Sequence, residues 1–171
     1  MKGYVHIYTG DGKGKTTAAL GLAIRAAGAG LQVFLAQFIK GRQYSELKAL
    51  ERLADQISVE QFGLPRFING KPSLPDIEAA RYGLERVKSS MLSGRFDVII
   101  IDEGNVAVTY GLLSKEDILD LIDMKPEELE LVITGRGALP EVIDKADLVT
   151  EMKAVKHYYD NGIDARVGIE K

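Results

Sequence analysis

The chain has 171 residues, of which 46% are hydrophobic and 27% charged, with a formal net charge of -3. That length and balance describe one soluble globular domain, and the scattered Lys and Arg exclude the basic footprint of a nucleic-acid binder. There is no cysteine, and the only histidines are His6 and His157, which excludes disulfides, thiolate chemistry and multi-histidine metal centres.

The amino-terminal run Met1-Lys2-Gly3-Tyr4 leads straight into apolar residues and lacks the long apolar region of a signal peptide. No apolar run is long enough to span a bilayer. The expected address is therefore the cytoplasm, with no membrane partner.

In chain order, Val5 to Tyr8 reads as a short strand, followed by a glycine-rich loop at Gly10 to Gly14. Thr16 to Ala29 is an alanine-rich helix of high intrinsic propensity, stopped by Gly28 and Gly30. Gln32 to Phe38 is a strand, Ser45 to Ala54 a helix and Ser58 to Phe62 a third strand. Gly63 to Pro75 is the least regular stretch, with Pro65, Pro72, Pro75 and the turn pair Asn69-Gly70. Pro75 to Leu92 is a long helix. Asp97 to Asp102 contains the unbroken run Val98-Ile99-Ile100-Ile101, which suits a central parallel strand covered on both faces. Ser114 with Asp117 is a capping pair that opens another helix. Leu131 to Thr134 is a strand ending in Gly135-Arg136-Gly137. Pro140 to Lys145 is a short helix, and Leu148 to Glu151 and Ala165 to Ile169 are two weak strands. Alternating strands and helices predict a single doubly wound α/β domain over residues 1–171, with a mostly parallel sheet of the P-loop NTPase type. Ligands of such sheets sit beyond the carboxyl ends of the strands, where the polar motifs of this chain also fall.

The first motif is Thr9-Gly10-Asp11-Gly12-Lys13-Gly14-Lys15-Thr16-Thr17. Its end matches the phosphate-loop pattern G-x-x-x-x-G-K-S/T, while Thr9 stands where that pattern has its first glycine. Alternating glycines allow successive amides to turn inward as an anion nest. The helix start adds about half a positive charge, Lys15 adds a full one, and the Thr16 hydroxyl can ligate Mg2+. These nine residues are the expected nucleotide site.

The second motif is Asp102-Glu103, where an apolar strand delivers carboxylates to a metal. Which of the two touches the ion is open at this level. Arg136, after the strand Leu131 to Thr134, is the third: an arginine there can reach a phosphate or stabilise departing charge. No guanine-reading N-K-x-D motif and no arginine-rich lid of a nucleotide kinase are present.

Taken in order, T-G-D-G-K-G-K-T-T-A-A at Thr9 to Ala19, Q-F-I-K-G at Gln37 to Gly41, I-D-E at Ile101 to Glu103, I-T-G-R-G at Ile133 to Gly137, A-D-L-V-T-E-M at Ala146 to Met152, and K-H with G-I-x-A-x-x-G-I at Lys156 to Ile169 span nearly the whole chain. In these segments the sequence resembles the corrinoid (cob(I)alamin) adenosyltransferases of the P-loop class. The resemblance implies transfer of the 5′-deoxyadenosyl group of ATP to the cobalt(I) of a reduced corrinoid, with triphosphate as the leaving group and ATP held reversed in the loop. It implies ATP and corrinoid as substrates, Mg2+ on Thr16 and Glu103, and Lys15, Glu103 and Arg136 as the groups that act. Lys13 adds charge. Gln37, Lys40 and Gly41 lie near the cleft. A flavoprotein reductase to supply cobalt(I) and a homodimer are the implied partners.

Some members carry an amino-terminal extension over the site, which this chain is expected to lack or replace. Phe62, Phe67 and Tyr110 are the candidate corrinoid contacts. His157 is read as structural or gating rather than as a cobalt ligand, and His6 as a core-side residue. The competing readings are a phosphate-releasing P-loop NTPase or kinase, and a noncatalytic ATP-sensing module.

Overall fold

The computed structural model describes residues 2–68 and 70–171. It contains β1 (Val5–Thr9), α1 (Lys15–Gly28), β2 (Val33–Phe38), α2 (Ser45–Leu50), β3 (Ile57–Phe62), α3 (Leu74–Leu92), β4 (Val98–Asp102), α4 (Gly104–Thr109), α5 (Lys115–Asp123), β5 (Glu130–Thr134), α6 (Pro140–Lys145) and β6 (Leu148–Glu151). The strands form one sheet in the order β3-β2-β4-β5-β1-β6, and each neighbouring pair is parallel. All six strands therefore end on the same edge. β1 and β4, which carry the glycine loop and the acidic pair, are separated by β5 alone.

Alternation along the strands divides the core into two layers. Phe34, Ile99, Ile101, Leu131 and Ile133 face α3, α4, α5 and α6. Val33, Leu35, Val98, Ile100 and Val132 face α1 and α2. Each layer is built by a helical stripe. Ala19, Ala23, Ala26 and Ala27 of α1 are buried, and their small side chains let the helix lie close to the sheet. On α3 the stripe is Ala80, Gly83, Leu84, Val87 and Met91. Gly83 is required there, because an added Cβ would lie 2.5 Å from the Phe62 ring.

Several expectations change. Ala165 to Ile169 is not a strand: the chain turns over residues 167–170, with Gly168 at φ 78°, and Val167 and Ile169 are exposed. The helix α4 was not expected, and Ser45 to Ala54 splits into α2 and a 3₁₀ turn at Glu51–Leu53. His6 is not a core residue; it pairs with Glu130 at 2.6 Å while Val5 and Ile7 fill the core. Phe62 is core, packed against Phe38 with the rings tilted at 50°, which removes it from the exposed aromatics. Of the turn pair Asn69-Gly70, Asn69 lies outside the described residues, and Gly70 has φ 77°.

Candidate functional site

The glycine loop leaves β1 and enters α1 through Gly14, whose φ of 120° only glycine adopts without strain. No side chain caps α1, and its first turn holds no acidic residue. The other two long helices differ. In α5, Ser114 and Asp117 form a reciprocal capping box, and at α3 the Asp76 carboxylate accepts from the Ser73 amide at 2.8 Å. The amides at the start of α1 thus have no side-chain acceptor, and the helix dipole adds to their positive potential.

Lys15 is buried and donates to the carbonyls of Gly10 at 2.6 Å and Gly12 at 2.7 Å, so its ammonium lies inside the loop's curve. Burial, followed by the nearby Arg136 charge, lowers its pKa. The loop rests on the end of β6. The Gly12 amide donates to the Met152 carbonyl at 2.6 Å, and a Cβ on Gly10 or Gly12 would come within 2.5 or 2.6 Å of that oxygen. Thr9 accepts from the Ala138 amide. Of the expected nucleotide residues, Gly12, Lys13, Gly14, Lys15, Thr16 and Thr17 line the cleft; Thr9, Gly10 and Asp11 do not, and Thr9 and Gly10 shape the loop from behind.

At the end of β4 the two acids differ in their surroundings. Asp102 is fully buried and accepts four hydrogen bonds, from the hydroxyls of Thr16 (2.8 Å) and Thr134 (2.8 Å), the Gln37 amide (3.1 Å) and the Lys40 ammonium (2.7 Å). Glu103, in the left-handed conformation at φ 62°, turns into the cleft and donates its own amide to Thr134. Burial, reinforced by the charge of Asp102, raises the pKa of Glu103. Its carboxylate and the Thr16 hydroxyl line the same cleft and are oxygen donors of the kind that could hold a divalent cation. Among the described residues no group of three or more His, Cys, Asp or Glu side chains could hold a metal by itself. Phosphate oxygens would have to complete the coordination.

Arg136 leaves β5 between Gly135 and Gly137, both at positive φ, and lines the same cleft. A Cβ on Gly135 would meet the Val106 amide nitrogen at 2.9 Å, so the turn depends on close approach to α4. The carboxyl-terminal residues form the remaining wall. Glu170 accepts from Lys13 at 2.7 Å and from Tyr158, and His157, Ile169 and Glu170 line the cavity of about 650 Å³. Lys13 is thereby committed to the protein, which raises its pKa. His157 accepts from the Tyr159 amide through Nδ1 and caps a 3₁₀ turn while also lining the cleft. Phe67 and Tyr110, 70% and 41% exposed, stand at the mouth. Sequence reasoning assigned no role to Lys40, Arg42, Tyr44 or Glu170. Only the Q-F-I-K-G segment pointed toward Lys40.

The chain matches over residues 1–170 the family described as ATP:corrinoid adenosyltransferase BtuR/CobO/CobP. It is 34% identical over 170 residues to the corrinoid adenosyltransferase of Escherichia coli K12, covering 99% of this chain and 86% of the relative. The corrinoid adenosyltransferase of Pseudomonas aeruginosa is 33% identical over 170 residues, 99% of this chain and 84% of that protein. That of a Sinorhizobium species is 31% identical over 172 residues, 99% and 80%.

Proposed function

The chain belongs to the ATP:corrinoid adenosyltransferase family, and from that premise we propose how its cleft carries out the transfer. It is a transferase that acts on ATP and a corrinoid. Cobalt(I) of the reduced corrinoid supplies the electron pair that forms the Co–C5′ bond. The C5′–O5′ bond breaks, and its pair departs with triphosphate. The nucleophile belongs to the substrate, so the protein needs no serine, cysteine or base of its own.

The protein's task is to hold C5′ in line and to meet the charge that develops on the leaving oxygen. The α1 amides and Lys15 cradle the triphosphate, and Arg136 approaches it from the β5 side. Thr16 and Glu103 would hold Mg2+, with Asp102 fixing the Thr16 hydroxyl from behind. When bound, the ion adds positive charge against the phosphate oxygens. Phe67 and Tyr110 offer the corrinoid an apolar seat at the mouth. A flavoprotein reductase as the source of cobalt(I), a homodimer and a cytoplasmic address complete the reading; among the described residues no helix is long and apolar enough to cross a membrane.

The observation that carries this reading is the uncapped start of α1, facing Glu103 and Arg136 across one cleft. The test is anaerobic: protein, MgATP and chemically reduced cobalamin are mixed. The expected result is the light-sensitive spectrum of adenosylcobalamin with one triphosphate released per turnover. ADP and orthophosphate in place of triphosphate would overturn it.

A further inference from the structure

The transfer chemistry leaves one partly buried cation of the cleft, Lys40, without a task. Lys40 follows β2, its side chain is 14% exposed, and its ammonium lies 2.7 Å from Oδ2 of the fully buried Asp102. Oδ1 of the same carboxylate takes the hydroxyls of Thr16 and Thr134. Lys15, the buried lysine of the glycine loop, bonds to backbone carbonyls. Among the described residues, Lys40 is the cation ion-paired with Asp102.

The backbone is bent to make this pair. Ile39 (φ 66°) and Glu103 (φ 62°) are the only non-glycine residues at positive φ among those described. One immediately precedes Lys40 and the other immediately follows Asp102. A β-branched residue in that conformation is a costly outlier and persists only where the surroundings over-determine it. Those surroundings are visible. A Cβ on Gly41 would lie 2.4 Å from the Gly63 carbonyl oxygen, and one on Gly63 would lie 2.4 Å from the Ile39 carbonyl carbon. The Tyr44 ring, 5.3 Å from the ammonium, closes the far side.

We infer that Lys40 is a positioning residue, the fixed countercharge that keeps the Asp102 carboxylate turned onto Thr16 and Thr134 and out of the cleft. The cation and the triphosphate then meet the Thr16 hydroxyl and Glu103 instead of Asp102. The inference rests on the phosphate and metal site proposed above. It has a signature that loss of packing does not share. Removing one positive charge makes the site more attractive to a cation and less attractive to a polyanion, with the larger effect on the ligand of higher charge.

The experiment measures binding of Mn2+ alone, by spin counting, and of inorganic triphosphate alone, by calorimetry, to the full chain. Lys40→Met should bind Mn2+ about tenfold more tightly and the more highly charged triphosphate about a hundredfold more weakly. Lys40→Arg should keep both within threefold of the parent. Weakening of both ligands in Lys40→Met, or no change in either, overturns the role. If Lys40→Met does not fold, Lys40→Met/Asp102→Asn removes the uncompensated charge as well and should restore folding; failure of that rescue also overturns it. A parent chain that binds no triphosphate sinks the underlying site instead, so the two failures are distinguishable.

Discussion

At the scale of single residues the site sorts its charges by burial. Lys15, with its ammonium folded onto the Gly10 and Gly12 carbonyls, must exchange those bonds for phosphate oxygens when nucleotide enters. Charge-assisted hydrogen bonds of this kind contribute about 1.5–3 kcal/mol. Lys15→Ala is therefore expected to lower kcat/KM by roughly 10- to 100-fold, with the melting temperature nearly unchanged. Steady-state kinetics over a range of MgATP concentrations checks this, and a parent-like kcat/KM would remove the assignment. Lys15 was legible because loop, lysine and hydroxyl occupy consecutive positions. The division of labour between Asp102 and Glu103 was not. It depends on Gln37 of β2, Lys40 just beyond it and Thr134 of β5, and on a left-handed φ at Glu103 that adjacent letters do not announce.

At the scale of elements, α3 and α5 open on capping boxes whereas α1, which leaves the glycine loop, opens without a side-chain cap. Asp117 is largely buried, and that burial works against its charge. Hydrogen bonds from the Ser114 amide and hydroxyl, together with Arg81, outweigh it and hold the pKa below the ordinary value. A depressed folded pKa contributes stability that is present above the unfolded value and is lost as pH falls through the folded one. Asp117→Asn should therefore cost about 1 kcal/mol at neutral pH, a fall of about 3 °C in melting temperature. The difference should shrink progressively as pH falls below the ordinary aspartate value of 3.8. Thermal melts of both proteins from pH 7 to pH 3 check it, and a pH-independent difference would refute it. This capping pair could be read directly from the sequence because its residues are three apart. The helix α4 could not: Gly104, Asn105, Val106, Val108 and Thr109 are indifferent or poor helix formers. Ala107, buried against the core, and the Gly104 contact with Ile101 and Ile133 impose the helix. Conversely, Ala165 to Ile169 alternates like a strand but offers no buried face, and exposed Val167 leaves nothing to pair.

At the scale of the whole molecule, the parallel sheet sets all strand ends on one edge, and the carboxyl-terminal segment then folds back across that edge. This explains why the A-D-L-V-T-E-M block at Ala146 to Met152 belongs with the phosphate loop. Asp147 accepts from the Val5 amide, the Met152 amide reaches the Thr9 carbonyl, and the Met152 carbonyl takes the Gly12 amide. Beyond it, residues 153–171 are mostly exposed and are stitched to the loop by Lys13–Glu170 and to α2 by the Ser45 hydroxyl on the Lys171 carbonyl. Exposed ion pairs add little to global stability, and segments with few buried contacts open locally without unfolding the core. Glu170→Ala should therefore leave the melting temperature within about 2 °C of the parent. It should also make trypsin cleavage at Lys153 and Lys156 several-fold faster. A loss of more than about 5 °C would instead make this segment part of the cooperative core. Unchanged cleavage would mean that the Lys13–Glu170 pair does not hold it.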